Sequence, residues 1–174
     1  MNLPNPETLL SEITAKIQAQ LAMNGVQNSA LIGIHSGGVW LMDSVLKSLK
    51  LEIGLAIESG TLDAAMYRDD YNQRGLKAKT KPANIHFDIS GKHIILIDDI
   101  FYTGRTTRAA MNELFDYGRP ASITLAVLIN RGGAQLPIAP QIVGANLVLN
   151  TADSLQLSFD TKGKLHLSLE GANV

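Results

Sequence analysis

The stretch His93-Ile94-Ile95-Leu96-Ile97-Asp98-Asp99-Ile100-Phe101-Tyr102-Thr103-Gly104-Arg105-Thr106-Thr107 decides how this chain is read. It begins as a bare apolar run, the pattern of a strand covered on both faces of a parallel sheet. Two carboxylates, Asp98 and Asp99, arrive together where the strand is expected to end, and a small-residue turn at Thr103-Gly104 follows. From Arg105 the pattern becomes helical, with Ala110, Met111, Leu114 and Phe115 on the apolar face and Gly118 and Pro120 as the stop. Adjacent carboxylates at a strand end accept hydrogen bonds from a vicinal diol or hold a divalent cation through water. Thr103, Gly104, Arg105, Thr106 and Thr107 supply hydroxyls and the backbone N–H groups of a helix N-terminus, which is an anion site. Acids followed by such a turn suit a ribose 5-phosphate.

Outward from this motif the pattern recurs. Ala30 to Ile34 reads as a short buried strand running into His35-Ser36-Gly37-Gly38, followed by a helix with Val39, Met42, Val45, Leu46 and Leu49 on one face. Ile123 to Ile129 is another continuous apolar strand, ending in Asn130-Arg131-Gly132-Gly133. Repeated strand–loop–helix units favour parallel strands with their loops gathered at one sheet edge. Before them, Asn5 is placed to cap a helix over residues 6–23, with Pro6 at its first position and Ile13, Ile17 and Leu21 repeating every four residues. Two strands are expected between Leu51 and Tyr67, Leu51 to Glu58 and Leu62 to Tyr67, parted by Ser59-Gly60. From Arg68 to Asp88 the apolar pattern lapses, and about 20 unpatterned residues inside a compact domain predict a lid or a disordered loop. Lys77, Lys79 and Lys81 there read as its solvated face. The tail alternates through Leu155-Gln156-Leu157-Ser158-Phe159 and Leu165-His166-Leu167-Ser168-Leu169, a hairpin with one buried face over roughly residues 154–170.

Composition sets the limits. The 174 residues fit one domain, and a net charge of −1 demands neither nucleic acid nor an anionic membrane as partner. No cysteine is present, so disulfides and thiolate metal sites are excluded. No run approaches the ~20 apolar residues of a membrane span, and a soluble, cytoplasmic protein is expected. His35, His86, His93 and His166 show no ligand spacing.

The run Ile94 to Thr107 resembles the phosphoribosyl-diphosphate (PRPP) motif of the type I phosphoribosyltransferases: apolar residues, two acids, a short variable stretch, then Thr-Gly-x-Thr. More narrowly, Gly60-Thr61-Leu62-Asp63, Tyr67-Arg68-Asp69-Asp70, Asp98 to Thr106, Gly118-Arg119-Pro120 and Leu125-Ala126-Val127-Leu128 fall in one order. In that order, over roughly residues 30–147, the chain is similar to the pyrimidine operon regulatory proteins that double as uracil phosphoribosyltransferases. The resemblance implies the type I phosphoribosyltransferase fold: a central, mostly parallel sheet flanked by helices, here with a small C-terminal hairpin. It implies transfer of a phosphoribosyl group from PRPP to uracil, giving UMP and diphosphate, with Mg²⁺ brought by PRPP.

By the same resemblance Asp98 and Asp99 bind the ribose hydroxyls, with Asp99 reaching the metal through water, and Tyr102, Thr103, Gly104, Arg105 and Thr106 take the rest of the PRPP motif. His35, Ser36, Gly37 and Gly38 form the diphosphate loop. Arg68, Asp69 and Asp70 begin the lid, with Arg68 counted alongside the two acids as catalytic, and Asn130 and Arg131 lie on the base side. A dimer or tetramer is implied as well. The chain departs from the family at Gly37, where many members carry Arg; the leaving group loses a charge-assisted donor there. RNA-binding members carry basic residues on helix 1 and an Arg-Gly-His-Arg-Glu-Leu-Pro run. This chain offers only Lys16, with Glu12 beside it, and reads Arg131-Gly132-Gly133-Ala134-Gln135-Leu136-Pro137, which argues against a leader RNA as partner. Three readings stay open: a uracil phosphoribosyltransferase, a nucleotide-sensing regulator with little or no catalysis, and a phosphoribosyltransferase for another base.

Overall fold

The computed structural model describes residues 3–54, 56–64, 83–150, 153–161 and 163–170. Helix α1 spans Pro6–Asn24, and the Asn5 side chain accepts hydrogen bonds from the N–H groups of Glu7 and Thr8, as the Asn-Pro start predicts. Strand β1 (Ser29–Ile34) runs into α2 (Gly37–Ile53), then β2 (Glu58–Leu62). Strand β3 (His93–Phe101) leads to α3 (Arg105–Asp116), β4 (Ser122–Asn130) and β5 (Ile142–Asn146). A separate antiparallel hairpin pairs β6 (Ser154–Phe159) with β7 (Leu165–Glu170).

The five sheet strands stand in the order β2-β1-β3-β4-β5, all parallel. Two apolar layers cover them. On one face Ile13, Ile17 and Leu21 of α1 and Leu41, Val45 and Leu49 of α2 pack on Leu31, Ile95, Ile97 and Leu128. On the other, Ala109, Ala110 and Leu114 of α3 pack on Ile32, Ile94, Leu96 and Val127. Successive strand residues point to opposite faces, so the unbroken apolar run of β3 fills both layers. At ~1.5–3 kcal/mol per fully buried aliphatic side chain, this two-sided burial is the main favourable term in the fold. The hairpin adds Leu155, Leu157 and Leu165 to the α1–α2 layer, while Phe159 stacks on Trp40 of α2 with ring centroids 5.9 Å apart.

The structure differs from several expectations. In place of two strands between Leu51 and Tyr67, α2 extends to Ile53 and ends on Gly54, whose φ of 65° suits a left-handed cap. One strand then crosses Ser59-Gly60 without a break, and residues 65–67 lie outside the described residues. Gly60 serves close approach, not a turn: a Cβ there would lie 2.9 Å from the Asn84 carbonyl oxygen. Asn84 bridges to Thr61 through two backbone hydrogen bonds of 3.0 and 2.9 Å, while Ile85 and Phe87 pack against the core. The last residues of the expected 68–88 lid are therefore docked on the sheet edge. Strand β3 continues past the two acids to Phe101. Strand β5, a short edge strand over Ile142-Val143-Gly144-Ala145-Asn146, has no counterpart among the expected strands.

On α3, Phe115 is 54% exposed, and the buried face is Thr107, Ala109, Ala110, Glu113 and Leu114. Leu114→Ala should therefore cost ~2–5 kcal/mol in urea unfolding, and Phe115→Ala should stay within ~0.5 kcal/mol of the parent.

Glu113 is the misfit in that face. Its Oε2 is buried with no hydrogen-bond partner among the described residues, and burial, reinforced by Asp63 and Asp116, pushes its carboxyl above the usual range. The native state then holds this proton more tightly than the unfolded chain does. The stability involved is present at acid pH and is lost as pH rises from the ordinary glutamate value through the raised one. Glu113→Gln should raise Tm at pH 7 and leave it unchanged near pH 4, measured as paired melts across that range.

Candidate active site

Helix α2 leaves β1 toward one face of the sheet, and α3 leaves β3 toward the other. The sheet thus has a topological switch point between β1 and β3, where the loops after the two strands diverge and open a crevice at their carboxyl ends. The loops His35–Gly38 and Asp98–Gly104 are the two lips of that crevice.

The acids are set by local backbone bonds. An Asp98 carboxylate oxygen accepts from the Asp99 N–H at 3.0 Å, and Asp99 Oδ1 accepts from the Ile100 N–H at 2.8 Å. The ladder to β4 pairs Asp98 with Val127 and Ile100 with Ile129. Although adjacent, the two carboxylates face different partners. Asp98, 6% exposed, lines a cavity of about 200 Å³ shared with Tyr102, Thr103, Gly104, Thr106 and Thr107, while Asp99 packs against Gly37 across the crevice.

The far wall of that cavity is the turn into α3. Gly104 is the cap residue, with φ 86° and ψ −4°, and its carbonyl accepts the first helical bond from Arg108 at 2.9 Å. Thr103 Oγ1 accepts from the Arg105 N–H at 3.3 Å. The helix N-terminus concentrates partial positive charge beside the Thr106 and Thr107 hydroxyls, so the cavity carries a carboxylate on one side and anion-binding donors on the other. The Arg105 side chain leaves the cavity: its Nε–H donates to Gln135 Oε1 at 3.1 Å. Gln135 also donates its backbone N–H to the Thr103 carbonyl at 3.0 Å, so one residue clasps both ends of the turn. Nothing at the sequence level marks Gln135, which stands about 30 residues further along the chain.

On the opposite lip, the His35 N–H donates to the Leu62 carbonyl at 2.9 Å, tying this loop to the end of β2, and the His35–Ser36 peptide is cis. Gly37 and Gly38 are the first residues of α2. Asp43, further along α2, has its carboxyl pushed up by burial against the opposing influence of His35. The residues that follow β4 pack against Tyr102. Arg131 lies over the Tyr102 ring, with Cζ 4.0 Å from the centroid, and its Nη2 donates to the Asn150 carbonyl at 3.0 Å. Gly133 meets the same ring closely enough that a Cβ would come within 2.7 Å of it. Asn130 donates to Asn146 Oδ1 at 2.9 Å. The sequence residues Asp98, Tyr102, Thr103, Gly104 and Thr106 are thus brought around one cavity, with Asn130 and Arg131 beside Tyr102. Arg68, Asp69 and Asp70 lie outside the described residues.

Among the described residues no group of three or more His, Asp or Glu side chains converges as a metal cage. The donor set is hard carboxylate oxygen beside an open crevice, which fits a magnesium-like cation that keeps waters and takes further oxygens from a phosphorylated ligand. Asp98 and Asp99 are the residues that would hold it.

Residues 5–152 match the Phosphoribosyl transferase domain family. The chain is 46% identical over 158 residues to the Bifunctional protein PyrR of Pseudomonas fluorescens, covering 91% of this chain and 92% of that one. It is 43% identical over 157 residues to the Bifunctional protein PyrR of Pseudomonas aeruginosa, covering 90% of each. Among solved structures it is similar to a hypoxanthine-guanine phosphoribosyltransferase from Bacillus anthracis with HEPES in its active site, at TM-score 0.64 and 15% identity over 84% of this chain and 83% of that one. Hypoxanthine phosphoribosyltransferase of Trypanosoma cruzi in complex with IMP gives a TM-score of 0.59 at 19% identity, over 83% and 74% of the two chains. At such identities these structures speak for the fold alone.

The turn itself is testable without a ligand. A Cβ on Gly104 would meet nothing closer than 3.5 Å, so any cost of Gly104→Ala is backbone strain at positive φ. It should lower unfolding stability by ~1–2 kcal/mol in denaturant titration.

Proposed function

This chain belongs to the phosphoribosyltransferase family, among the PyrR proteins, and on that premise we propose that it converts uracil and PRPP to UMP and diphosphate. The observation that carries the reading is the cavity at the switch point, where one acid and the turn into α3 face each other across a space suited to a ribose 5-phosphate. The N–H groups at the start of α3, with the hydroxyls of Thr103, Thr106 and Thr107, hold the 5-phosphate; Gly104 lets the backbone come close. Asp98 accepts from a ribose hydroxyl, and Asp99 faces the other side of the sugar, toward the diphosphate loop of His35, Ser36, Gly37 and Gly38. Tyr102, fixed by Arg131, walls the base side together with Asn130. Arg68, Asp69 and Asp70 belong to the lid in this reading.

The C1–oxygen bond to diphosphate breaks as the bond from uracil N1 to C1 forms, and the N1 proton leaves to solvent. The ribosyl centre gains oxocarbenium character on the way, so the protein's task is positioning and charge stabilisation, with no side-chain nucleophile. Mg²⁺, when bound with PRPP, neutralises the departing diphosphate. Asp98 and Asp99 orient the ribose so that C1 is presented between the leaving group and the base.

A second reading, a nucleotide-sensing regulator with little catalysis, is favoured by one observation: the diphosphate loop has no guanidinium at Gly37 and no space for one. Transfer to another base is the third. The expected homo-oligomer draws support from Phe115 and Tyr117, both exposed near the end of α3. No helix among the described residues is long and apolar enough to cross a membrane, which accords with a cytoplasmic setting. The deciding assay supplies PRPP and Mg²⁺ with uracil, hypoxanthine, guanine or orotate and measures nucleotide formed. UMP formation with uracil is expected, and Asp99→Asn should reduce it by ~10²–10³-fold. UMP binding without turnover would select the regulator, another preferred base the third reading, and full activity of Asp99→Asn would remove Asp99 from the site.

A further inference from the structure

The two glycines that open α2 differ in what they touch. A Cβ on Gly38 would collide with the backbone of β3, where the Ile97 carbonyl and the Asp98 Cα, the latter at 3.0 Å, already stand. That constraint belongs to the fold. A Cβ on Gly37 would instead fall on the Asp99 side chain, overlapping its Oδ2 and Cγ and lying 2.8 Å from its Cβ. Gly37 is not at positive φ, so its backbone accepts any residue. Helix propensity alone would make alanine the better choice there. In this arrangement of the loops, Asp99 fills the volume that a side chain at 37 would take.

Rotation of Asp99 does not remove the conflict. Its Cβ is fixed by the β3 backbone and stays inside contact distance whatever the carboxylate does. Its Oδ1 is held by the Ile100 N–H at 2.8 Å, and turning the carboxylate away gives up that bond. A side chain at 37 must therefore both displace the loop and turn the acid. We propose that Gly37 is a positioning residue: by carrying no side chain it seats the Asp99 carboxylate against the diphosphate loop and locks the two lips of the crevice into one register. This rests on the phosphoribosyl-transfer reading of the site. In this arrangement of the two loops, position 37 and Asp99 compete for one volume. A cation introduced at 37 would arrive at the expense of the acid.

The test is a double-mutant cycle with PRPP and Mg²⁺ as the probe. PRPP affinity is measured by calorimetry, and kcat and KM by uridylate formation, for the parent, Gly37→Ala, Asp99→Gly and the double variant. Gly37→Ala should weaken PRPP binding about tenfold in the parent and less than about twofold in the Asp99→Gly background, because there the side chain it strikes is gone. The loss should fall mainly on KM for PRPP. Gly37→Arg should also weaken PRPP binding despite its added charge. Equal losses in both backgrounds, no loss at all, or tighter binding by Gly37→Arg would overturn the proposal. If Gly37→Ala folds too poorly for kinetics, the same cycle read in Tm decides: the drop must vanish in the Asp99→Gly background. Should Asp99→Gly leave PRPP affinity untouched, the site reading itself fails; should it weaken binding while Gly37→Ala does nothing, only the present proposal does.

Discussion

The pairing of β1 with β3 is the constraint on which the rest depends. These strands are adjacent in the sheet but are not consecutive, and their register from Ser29–His93 to Gly33–Ile97 brings both to the same edge. Because α2 then turns to one face and α3 to the other, the loops between strand and helix cannot close over the strand ends. A crevice results from topology alone, before any side chain is specified. What the sequence adds is the lining: glycines on one lip so that it can pack tightly, carboxylates and hydroxyls on the other.

The apolar filling of β3 places those carboxylates. Ile95 and Ile97 belong to the α1–α2 layer, Ile94 and Leu96 to the α3 layer. Continuing that alternation sends Asp98 toward α3 and Asp99 toward α2, which is how they stand against the α3 cavity and Gly37. Two neighbouring acids are thus divided between two tasks by the pleat of one strand. Beyond them the alternation breaks, with Ile100 packing on the α1–α2 layer and Phe101 on the other, and the chain turns into the loop that starts α3.

Much of this was legible in the sequence, for identifiable reasons. The β3–turn–α3 motif, the Asn5 cap and the C-terminal hairpin are local: their signals are a period, a capping side chain or an alternating run, and each element forms as its own residues dictate. The expectations that failed depend on what lies across from a residue. Gly60 reads as a turn until Asn84 is seen against it; Phe115 fits the helical stripe but stands half exposed; β5 is an edge strand whose partner, β4, supplies half its order. Gln135 and the Arg131–Tyr102 stack belong to the same class, since the residues they join are far apart along the chain. That the two acids part to opposite faces follows from parity, but only once the strand is known to run through them to Phe101.

The division of labour among charges follows from the same geometry. A phosphorylated sugar, the ligand of the proposed reading, calls for positive charge in a chain whose net charge is −1. Here Arg105 donates to Gln135, and Arg131 lies over the Tyr102 ring and donates to the Asn150 carbonyl. In the proposed reading the anion meets threonine hydroxyls and the backbone N–H groups at the start of α3, the latter fixed in direction by the helix itself. Such donors cost little reorganisation when the ligand arrives, whereas a long cationic side chain must be ordered at each binding event. The cradle of that reading is therefore built from what the fold already holds rigid, while Arg105 and Arg131 brace the residues around it.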